Sequence, residues 1–345
     1  MPRRAIALGA AAALLAVAPA GCTRTATEAS PGPVRTVDGG ALDLVVAPHP
    51  DDELEAWSLL AEEPGAYTVF VTLTLGEATA NCDPVEVERT TQTAWGEIAP
   101  ASPPQGPGTD SCKEARTASW NAFLDAAAET DPHLPVLAGV PAEPLELAGH
   151  PARVWVADGG ARVAVDGGDG ELTADGIAEV VRAVLALRGG RLPDLPLRRV
   201  VGASYANDAP DAGVNRAADG TCTDRPCEGD PRYAEYEHPD HWAVREALLT
   251  RDVGAQRGTC VATWPSDPAA TRTASVPVAT YEALTGLGER VDPDDPQSLA
   301  REGSFQRAYG WLAFPETYWP QTELPVPDAE GNPLIMARVQ TFACR

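Results

Sequence analysis

The chain has 345 residues, of which 44% are hydrophobic and 22% are charged. This composition is typical of a globular protein, long enough for one large domain or two of medium size, and it excludes a disordered chain. The 50 acidic residues outnumber the 26 basic ones, which gives a formal net charge of -24. So strong a negative charge argues against nucleic acid or an anionic membrane surface as a partner.

The amino terminus is typical of an export signal. Arg3 and Arg4 precede an apolar run, residues 5–18, that is too short to span a bilayer comfortably. Residues 19–22, Pro-Ala-Gly-Cys, are similar to a bacterial lipobox with Cys22 as the acylated residue, and ordinary cleavage near this point is the open alternative. We therefore predict an extracytoplasmic protein, either a cell-membrane lipoprotein held by its lipid anchor alone or a secreted protein. The predicted segments are a signal peptide at 1–21, a Thr-, Ser-, Pro- and Gly-rich tether at 22–40, and a single domain at 41–345.

Strands and helices alternate along the first part of the domain. Apolar and β-branched runs predict strands, and apolar residues at three-to-four spacing predict helices. In chain order these elements are a strand at Leu42–Ala47, a helix at Glu53–Glu62, a strand at Tyr67–Leu75, a helix at Glu114–Glu129 and a strand at Val136–Val140.

The next segment departs from this rhythm. Valines alternate on either side of Asp158-Gly159-Gly160, which predicts a β-hairpin at Arg153–Val165 that is inserted as a flap. Thr173 is a typical cap for the helix that follows. The remaining predicted elements are a helix at Thr173–Leu187, a strand at Arg199–Ser204, a helix at Pro239–Leu249 and a strand at Thr259–Thr263.

This order of elements predicts an α/β fold: a Rossmann-like, mostly parallel sheet with helices on both faces, plus the inserted hairpin and disulfide-stapled loops. In such sheets ligands bind beyond the carboxyl ends of the strands. His49 follows the first strand at such an end, and the loops at 76–111 and 205–235 would border the same edge.

The cysteine count agrees with export. Of seven cysteines, six remain when Cys22 is set aside, and an even number is typical of disulfides in an oxidising compartment. No C-x-x-C pair occurs, which argues against a zinc ribbon. Among the possible pairings, local spacing favours Cys82–Cys112, Cys222–Cys227 and Cys260–Cys344.

Two short motifs carry three of the five histidines, His49-Pro50-Asp51-Asp52-Glu53 and His238-Pro239-Asp240-His241. Together His49, Asp52 and His241 form a set of two imidazoles and one carboxylate, which suits Zn²⁺ and also Fe²⁺. The side chain of Asp51 diverges from that of its neighbour, so we expect it to act as a general base towards an activated water. Its position at a helix start favours the ionised form.

The second motif supplies the other candidate catalytic groups. As an imidazolium, His238 would donate to a developing oxyanion and then protonate a leaving amine. Asp240 would keep this histidine charged and oriented, as a carboxylate does behind a catalytic histidine. Tyr236 is a second candidate donor to the oxyanion, with a packing role as the alternative.

These motifs carry a resemblance. Ala47–Glu53 after an apolar strand, paired with Tyr236 and His238–Val244, is similar to the LmbE-like or PIG-L family of metal-dependent N-acetylglucosaminyl deacetylases, which includes the mycothiol-pathway deacetylase. Thr74–Glu77 resembles the family's Thr-x-Gly-Glu, and Arg116 resembles a family arginine that contacts substrate. The resemblance covers roughly residues 42–250. It implies that the metal ligands are His49, Asp52 and His241, that the base is Asp51 and that the acid is His238.

The resemblance implies an exported zinc-dependent hydrolase that removes an N-acyl group from a GlcNAc-containing substrate by means of metal-activated water. Two alternatives remain open: an amidase or esterase acting on a non-sugar conjugate, and a surface lipoprotein that binds glycans without turnover. The family's glycines after the first motif are replaced by Ala56, Trp57 and Ser58, where substrate is expected to be selected. Trp57 is therefore a candidate for stacking on a sugar ring, with core packing as its alternative.

Overall fold

The computed structural model describes residues 40–50, 52–62, 64–79, 82–85, 104–130, 134–203, 239–255, 258–263, 267–277 and 339–345. These residues belong to one compact unit, Arg35–Arg345. The predicted signal peptide, Cys22 and nearly all of the tether lie outside the described residues, as does the predicted Cys222–Cys227 pair. Within the described ranges, none of the helices combines the length and the hydropathy that a bilayer-spanning segment needs.

In the described part of the chain, nine strands form one sheet. They are β1 (Leu42–Ala47), β2 (Tyr67–Thr72), β3 (Glu143–Leu147), β4 (His150–Val156), β5 (Gly160–Val165), β6 (Leu197–Gly202), β7 (Thr259–Thr263), β8 (Ala270–Ser275) and β9 (Val339–Cys344). Their order across the sheet is β3-β4-β5-β2-β1-β6-β7-β9-β8. The central strands from β5 to β7 pair in parallel, whereas β3 and β4 on one side and β9 and β8 on the other pair antiparallel. The fold is thus α/β with a mixed sheet, and only its centre is parallel as predicted.

The hairpin predicted as an inserted flap is part of this sheet. β4 and β5 do pair antiparallel, but β5 also pairs in parallel with β2, with Thr68 opposite Gly160. Every residue of β5 is buried, so its alternating valines do not mark a half-exposed ribbon. A Cβ on Gly160 would lie 2.3 Å from the carbonyl oxygen of Thr68, so the close approach of the two strands requires glycine.

The strand predicted at Val136–Val140 is not formed. Val140 N–H donates to the carbonyl of Leu137, which closes a turn, and Gly139 has a φ of 76°. A residue with positive φ does not fit the extended backbone of a strand, which explains why this short apolar run does not join the sheet.

Four helices of the described residues cover the sheet: α1 (Trp57–Glu62), which follows a 3-10 turn at Asp52–Ala56, α2 (Asp110–Thr130), α3 (Ala174–Leu185) and α4 (Pro239–Thr250). The side chain of Thr173 accepts from Gly176 N–H and caps α3, as its sequence predicts.

Helices lie on both faces of the sheet. Successive residues of β1 point to opposite faces, so they show which helices cover each one. Val45 packs in one core cluster with aromatic residues of α1 and α2, including Trp57 and Trp120. Val46 packs in the other cluster with Ile177 of α3 and Val244 of α4. The predicted placement of helices on both faces is therefore observed, and it leaves the strand ends as the open edge for a site.

Two of the predicted disulfides are present. Cys82–Cys112 joins the segment after β2 to α2, with a Cα–Cα distance of 5.6 Å. Cys260–Cys344 joins β7 to the neighbouring strand β9, with a Cα–Cα distance of 4.1 Å. Each therefore links segments that are distant in sequence.

Candidate metal centre

The turn that follows β1 is held from two sides at the carboxyl edge of the sheet. The hydroxyl of Thr74, just after β2, donates to the carbonyl of Pro48 at 2.9 Å. Nη2 of Arg116, on α2, donates to the carbonyl of Pro50 at 2.9 Å. Gly76 packs against this guanidinium and has a φ of 63°. The turn that carries His49 is thus fixed by residues of the next strand and of a helix.

The three predicted ligands lie together at this edge. His49 Nδ1 is 3.1 Å from Asp52 Oδ2, and the same oxygen is 3.6 Å from His241 Nε2 on α4. The two imidazole rings are 5.3 Å apart between centroids. One ligand atom from each of the three residues lies within 4.8 Å of the others. Since one cation can reach all three, this cluster can hold a metal ion.

The electrostatics of the cluster fit a cation. Burial by itself raises the pKa of Asp52, but the nearby His241 and the hydrogen bonds and charge of His49 outweigh burial and lower this pKa below its ordinary value. The carboxylate is therefore ionised at neutral pH. Burial lowers the pKa of His49, but hydrogen bonds to Asp169, Asp240 and Asp52 outweigh it and raise this pKa well above its ordinary value.

The second nitrogen of His49 faces two further carboxylates. Nε2 is 3.2 Å from Asp240 Oδ2 and 3.3 Å from Asp169 Oδ1. Asp240 is fully buried and also accepts the N–H groups of Gly170 and Leu172. The predicted pairing of Asp240 with His238 stays a prediction, because His238 lies outside the described residues. Within the described residues, Asp240 contacts His49. These contacts hold the imidazole ring from the side opposite Asp52.

Asp169 was not identified from the sequence. It lies in the glycine-rich segment that follows β5, and β5 is parallel to β2, so this segment emerges at the same edge as His49. A hairpin inserted as a flap would not bring the segment after β5 to the edge where His49 lies, so Asp169 was not expected there. One signal in the sequence could have identified it: Asp169 stands among glycines directly after a run of alternating valines.

The two candidate substrate residues, Trp57 and Arg116, are both buried. Trp57 is 1% exposed and packs against Phe70 and Phe123, with ring centroids 6.3 and 6.4 Å apart. It has no open face for a sugar ring, so its alternative, core packing, is the observed one. Arg116 is 5% exposed and supports the turn after β1, as described above.

Three candidate catalytic residues, Asp51, Tyr236 and His238, lie outside the described residues. Their roles as base, oxyanion donor and acid stay predictions. The described residues include the candidate metal ligands and the side chains around them.

No protein-family model and no curated protein matches the sequence. Among solved structures, the chain is similar to a deacetylase triple mutant of the teicoplanin biosynthetic pathway, with a TM-score of 0.40 and 15% identity over 88% of this chain and 97% of the other. It is also similar to a deacetylase–bog complex from teicoplanin biosynthesis, with a TM-score of 0.36 and 14% identity over 78% of this chain and 84% of the other. Likenesses at this level do not establish a shared fold, so a functional assignment has to come from the site.

Proposed function

We propose that the protein is an exported, metal-dependent hydrolase that removes an N-acyl group from a GlcNAc-containing substrate. One observation carries the proposal: His49, Asp52 and His241, which come from distant parts of the chain, offer ligand atoms within 4.8 Å of one another. A set of two imidazoles and one carboxylate that leaves positions open is typical of catalytic rather than structural zinc sites.

The donor set decides which ions fit. Imidazole nitrogens and a carboxylate oxygen suit Zn²⁺, and the same set suits Fe²⁺. Zn²⁺, when bound, would supply a water molecule whose pKa is lowered to about 7. The lowered pKa of Asp52 keeps its carboxylate ionised and ready to ligate. Ligation by His49 needs one ring nitrogen without a proton, so cation and proton compete for it.

The remaining chemistry is assigned to residues predicted from the sequence. Asp51 accepts a proton from the attacking water, whose oxygen bonds to the carbonyl carbon of the amide. His238 donates to the developing oxyanion and then delivers a proton to the leaving nitrogen as the C–N bond breaks. Tyr236 is the second donor. The products are a carboxylic acid and a free amine, so atoms and protons balance.

Substrate class and export have separate support. The sugar substrate is inferred from the resemblance of the two motifs to N-acetylglucosaminyl deacetylases. Export to an oxidising compartment is supported by the Cys82–Cys112 and Cys260–Cys344 disulfides, because such bonds are rare in reducing compartments. The proposal includes acylation of Cys22 as the membrane anchor. It also includes a substrate that is a small molecule or a glycan.

The test is a turnover assay on acylated substrates. Purified protein loaded with Zn²⁺ is offered GlcNAc, chito-oligosaccharides, peptidoglycan fragments and acyl peptides, and released carboxylate is measured. We expect release from the sugars, loss of release after chelation, and recovery when Zn²⁺ is returned. Asp51→Ala is expected to be inactive while it still binds Zn²⁺, whereas Asp52→Asn is expected to lose both.

Three results would change the assignment. Turnover that is unaffected by removal of the metal would contradict the metal-dependent mechanism. Release from acyl peptides alone would make the protein an amidase acting on non-sugar substrates. Equal sugar binding without turnover by the wild type and Asp51→Ala would make it a glycan-binding protein.

A further inference from the structure

We propose that Asp169 is a positioning residue of the metal centre: together with Asp240 it fixes the Nε2–H of His49, so that Nδ1 is the nitrogen offered to the metal. This inference rests on the proposed function, because it assigns a role at the same site. Neither motif of the sequence contains Asp169, and its role follows from contacts in the described structure.

The two ring nitrogens of His49 have different surroundings. Nδ1 lies 3.1 Å from Asp52 Oδ2, on the side shared with His241. Nε2 lies between Asp169 and Asp240, at 3.3 and 3.2 Å from one oxygen of each. A metal-ligating histidine usually donates its other ring N–H to a carboxylate or carbonyl, which selects the tautomer and orients the ring. Two carboxylates at Nε2 therefore favour a proton there and leave Nδ1 to ligate.

The carboxylate of Asp169 is itself held in place. Its Oδ2 accepts Ala78 N–H at 2.8 Å, while Oδ1 faces His49. The segment that carries it is tied to the end of β2, since Gly167 N–H donates to the carbonyl of Leu73 at 3.1 Å. Lys113 Nζ adds a contact to Asp166 Oδ1 at 2.7 Å. The side chain of Asp169 is 7% exposed, and its carboxylate and its backbone segment are both held by neighbours. It is therefore suited to orient the imidazole ring of His49.

Asp240 depends on the same segment. Its Oδ2 accepts Gly170 N–H at 2.8 Å and its Oδ1 accepts Leu172 N–H at 3.1 Å. The residues that directly follow Asp169 thus position the second carboxylate at His49 Nε2. One segment after β5 therefore supports both contacts to this nitrogen.

A different assignment is geometrically available and is less favoured. His49, Asp169 and Asp240 also offer ligand atoms within 4.8 Å of one another. This set contains only one imidazole, whereas the set of His49, Asp52 and His241 contains two, which is the donor set that suits Zn²⁺.

Metal affinity rather than turnover is the measurement that tests this role. Wild type, Asp169→Ala and Asp169→Asn are stripped with a chelator, and their Zn²⁺ affinity is measured at pH 7 by competition with a chromogenic chelator. The visible spectrum of each Co²⁺-loaded protein reports the ligand geometry. Asp175→Asn is the matched control, because its carboxylate is 80% exposed and pairs with Arg251 at the surface. Thermal unfolding of each metal-free protein reports the fold.

We expect Asp169→Ala to weaken Zn²⁺ binding by about 10- to 100-fold and to change the Co²⁺ spectrum, as supporting carboxylates do for other metal sites. Asp169→Asn keeps an oxygen that can accept the N–H, so its loss is expected to be smaller, and Asp175→Asn is expected to match the wild type. If Asp169→Ala does not fold, the comparison of Asp169→Asn with Asp175→Asn decides.

Other results would overturn the role. Wild-type affinity and spectrum in both Asp169 variants, with or without a lower melting temperature, would leave Asp169 a purely structural residue. Complete loss of binding in Asp169→Ala together with wild-type affinity in Asp52→Asn would make Asp169 a direct ligand. A wild-type protein that binds neither Zn²⁺ nor Co²⁺ would contradict the metal-dependent function itself, and the positioning role with it.

Discussion

Arg245 and Asp267 form a buried ion pair, with 2.8 Å between Nη2 and Oδ2 and side chains that are 3% and 0% exposed. Nη1 of Arg245 also donates to the hydroxyl of Thr263, which in turn contacts Asp267. Arg245 lies one helical turn after His241 on α4. The pair therefore anchors the helix that carries one candidate ligand to the segment between β7 and β8.

Removal of one partner of this pair should be costly. Asp267→Ala leaves the guanidinium of Arg245 buried without its carboxylate, and we expect a loss of about 3–5 kcal/mol in the free energy of unfolding. Denaturant unfolding monitored by circular dichroism measures it. In the double variant Arg245→Met/Asp267→Leu, most of this loss should be recovered, because no buried charge remains. An Asp267→Ala protein as stable as the wild type would show that the pair does not anchor α4.

Gly76 should not tolerate a side chain. Its φ is 63°, and a Cβ would lie 2.8 Å from Arg116 Nη2 and 2.9 Å from Pro50 Cδ. We expect Gly76→Ala to lower stability by about 1–3 kcal/mol more than a positive φ alone would, because Arg116 and Pro50 must move to make room for the Cβ. Metal affinity should also fall, because the turn carrying His49 shifts with them. Gly139→Ala is the matched control, since Gly139 has a φ of 76° and nothing within 4 Å of a Cβ. Equal stability and equal Zn²⁺ affinity in the two variants would contradict this account.

The two disulfides should differ in their contribution. Cys260–Cys344 spans 84 residues of sequence and Cys82–Cys112 spans 30. A longer loop restricts the unfolded chain more, so the double variant Cys260→Ala/Cys344→Ala is expected to lose roughly 4 kcal/mol, and Cys82→Ala/Cys112→Ala somewhat less, by about 3 kcal/mol. Melting curves of both variants, without reductant, test the order. The reverse order would indicate that native-state packing, not loop length, dominates.

Trp57 should matter for stability and not for substrate affinity. Truncation of this buried ring in Trp57→Ala removes its packing against Phe70 and Phe123, and we expect a loss of about 3–5 kcal/mol. Trp242 on α4 is 37% exposed, so Trp242→Ala removes less buried apolar surface and is expected to cost less than Trp57→Ala. Steady-state kinetics of the milder variant Trp57→Phe would separate the roles, since a rise in KM without any loss of stability would restore the stacking interpretation.

The centre of the fold was predictable because its strands carry a strong local pattern. β1 and β7 match their predicted bounds, since both are short runs that are buried on every residue. The edge strands have no such pattern. β3 is mostly exposed, and β8 alternates threonine, arginine and alanine with little burial. Their pairing depends on distant partners, such as β9 for β8, that no local window contains.

The site divides in the same way. The proximity of His49, Asp52 and His241 was predictable because each motif gathers metal-binding residue types at a strand end or helix start. Asp169 was not, because an aspartate among glycines usually indicates a turn. Its position beside His49 becomes visible only when β5 is placed next to β2. Strand order, rather than residue type, is therefore what identifies the supporting carboxylate.

The bond between Cys260 and Cys344 joins the next-to-last residue of the chain to a strand beside β6. A protease that cuts the backbone once between these two cysteines would therefore release no fragment. The clipped molecule would keep its full mass on a gel without reductant and would separate into two pieces only after thiol treatment.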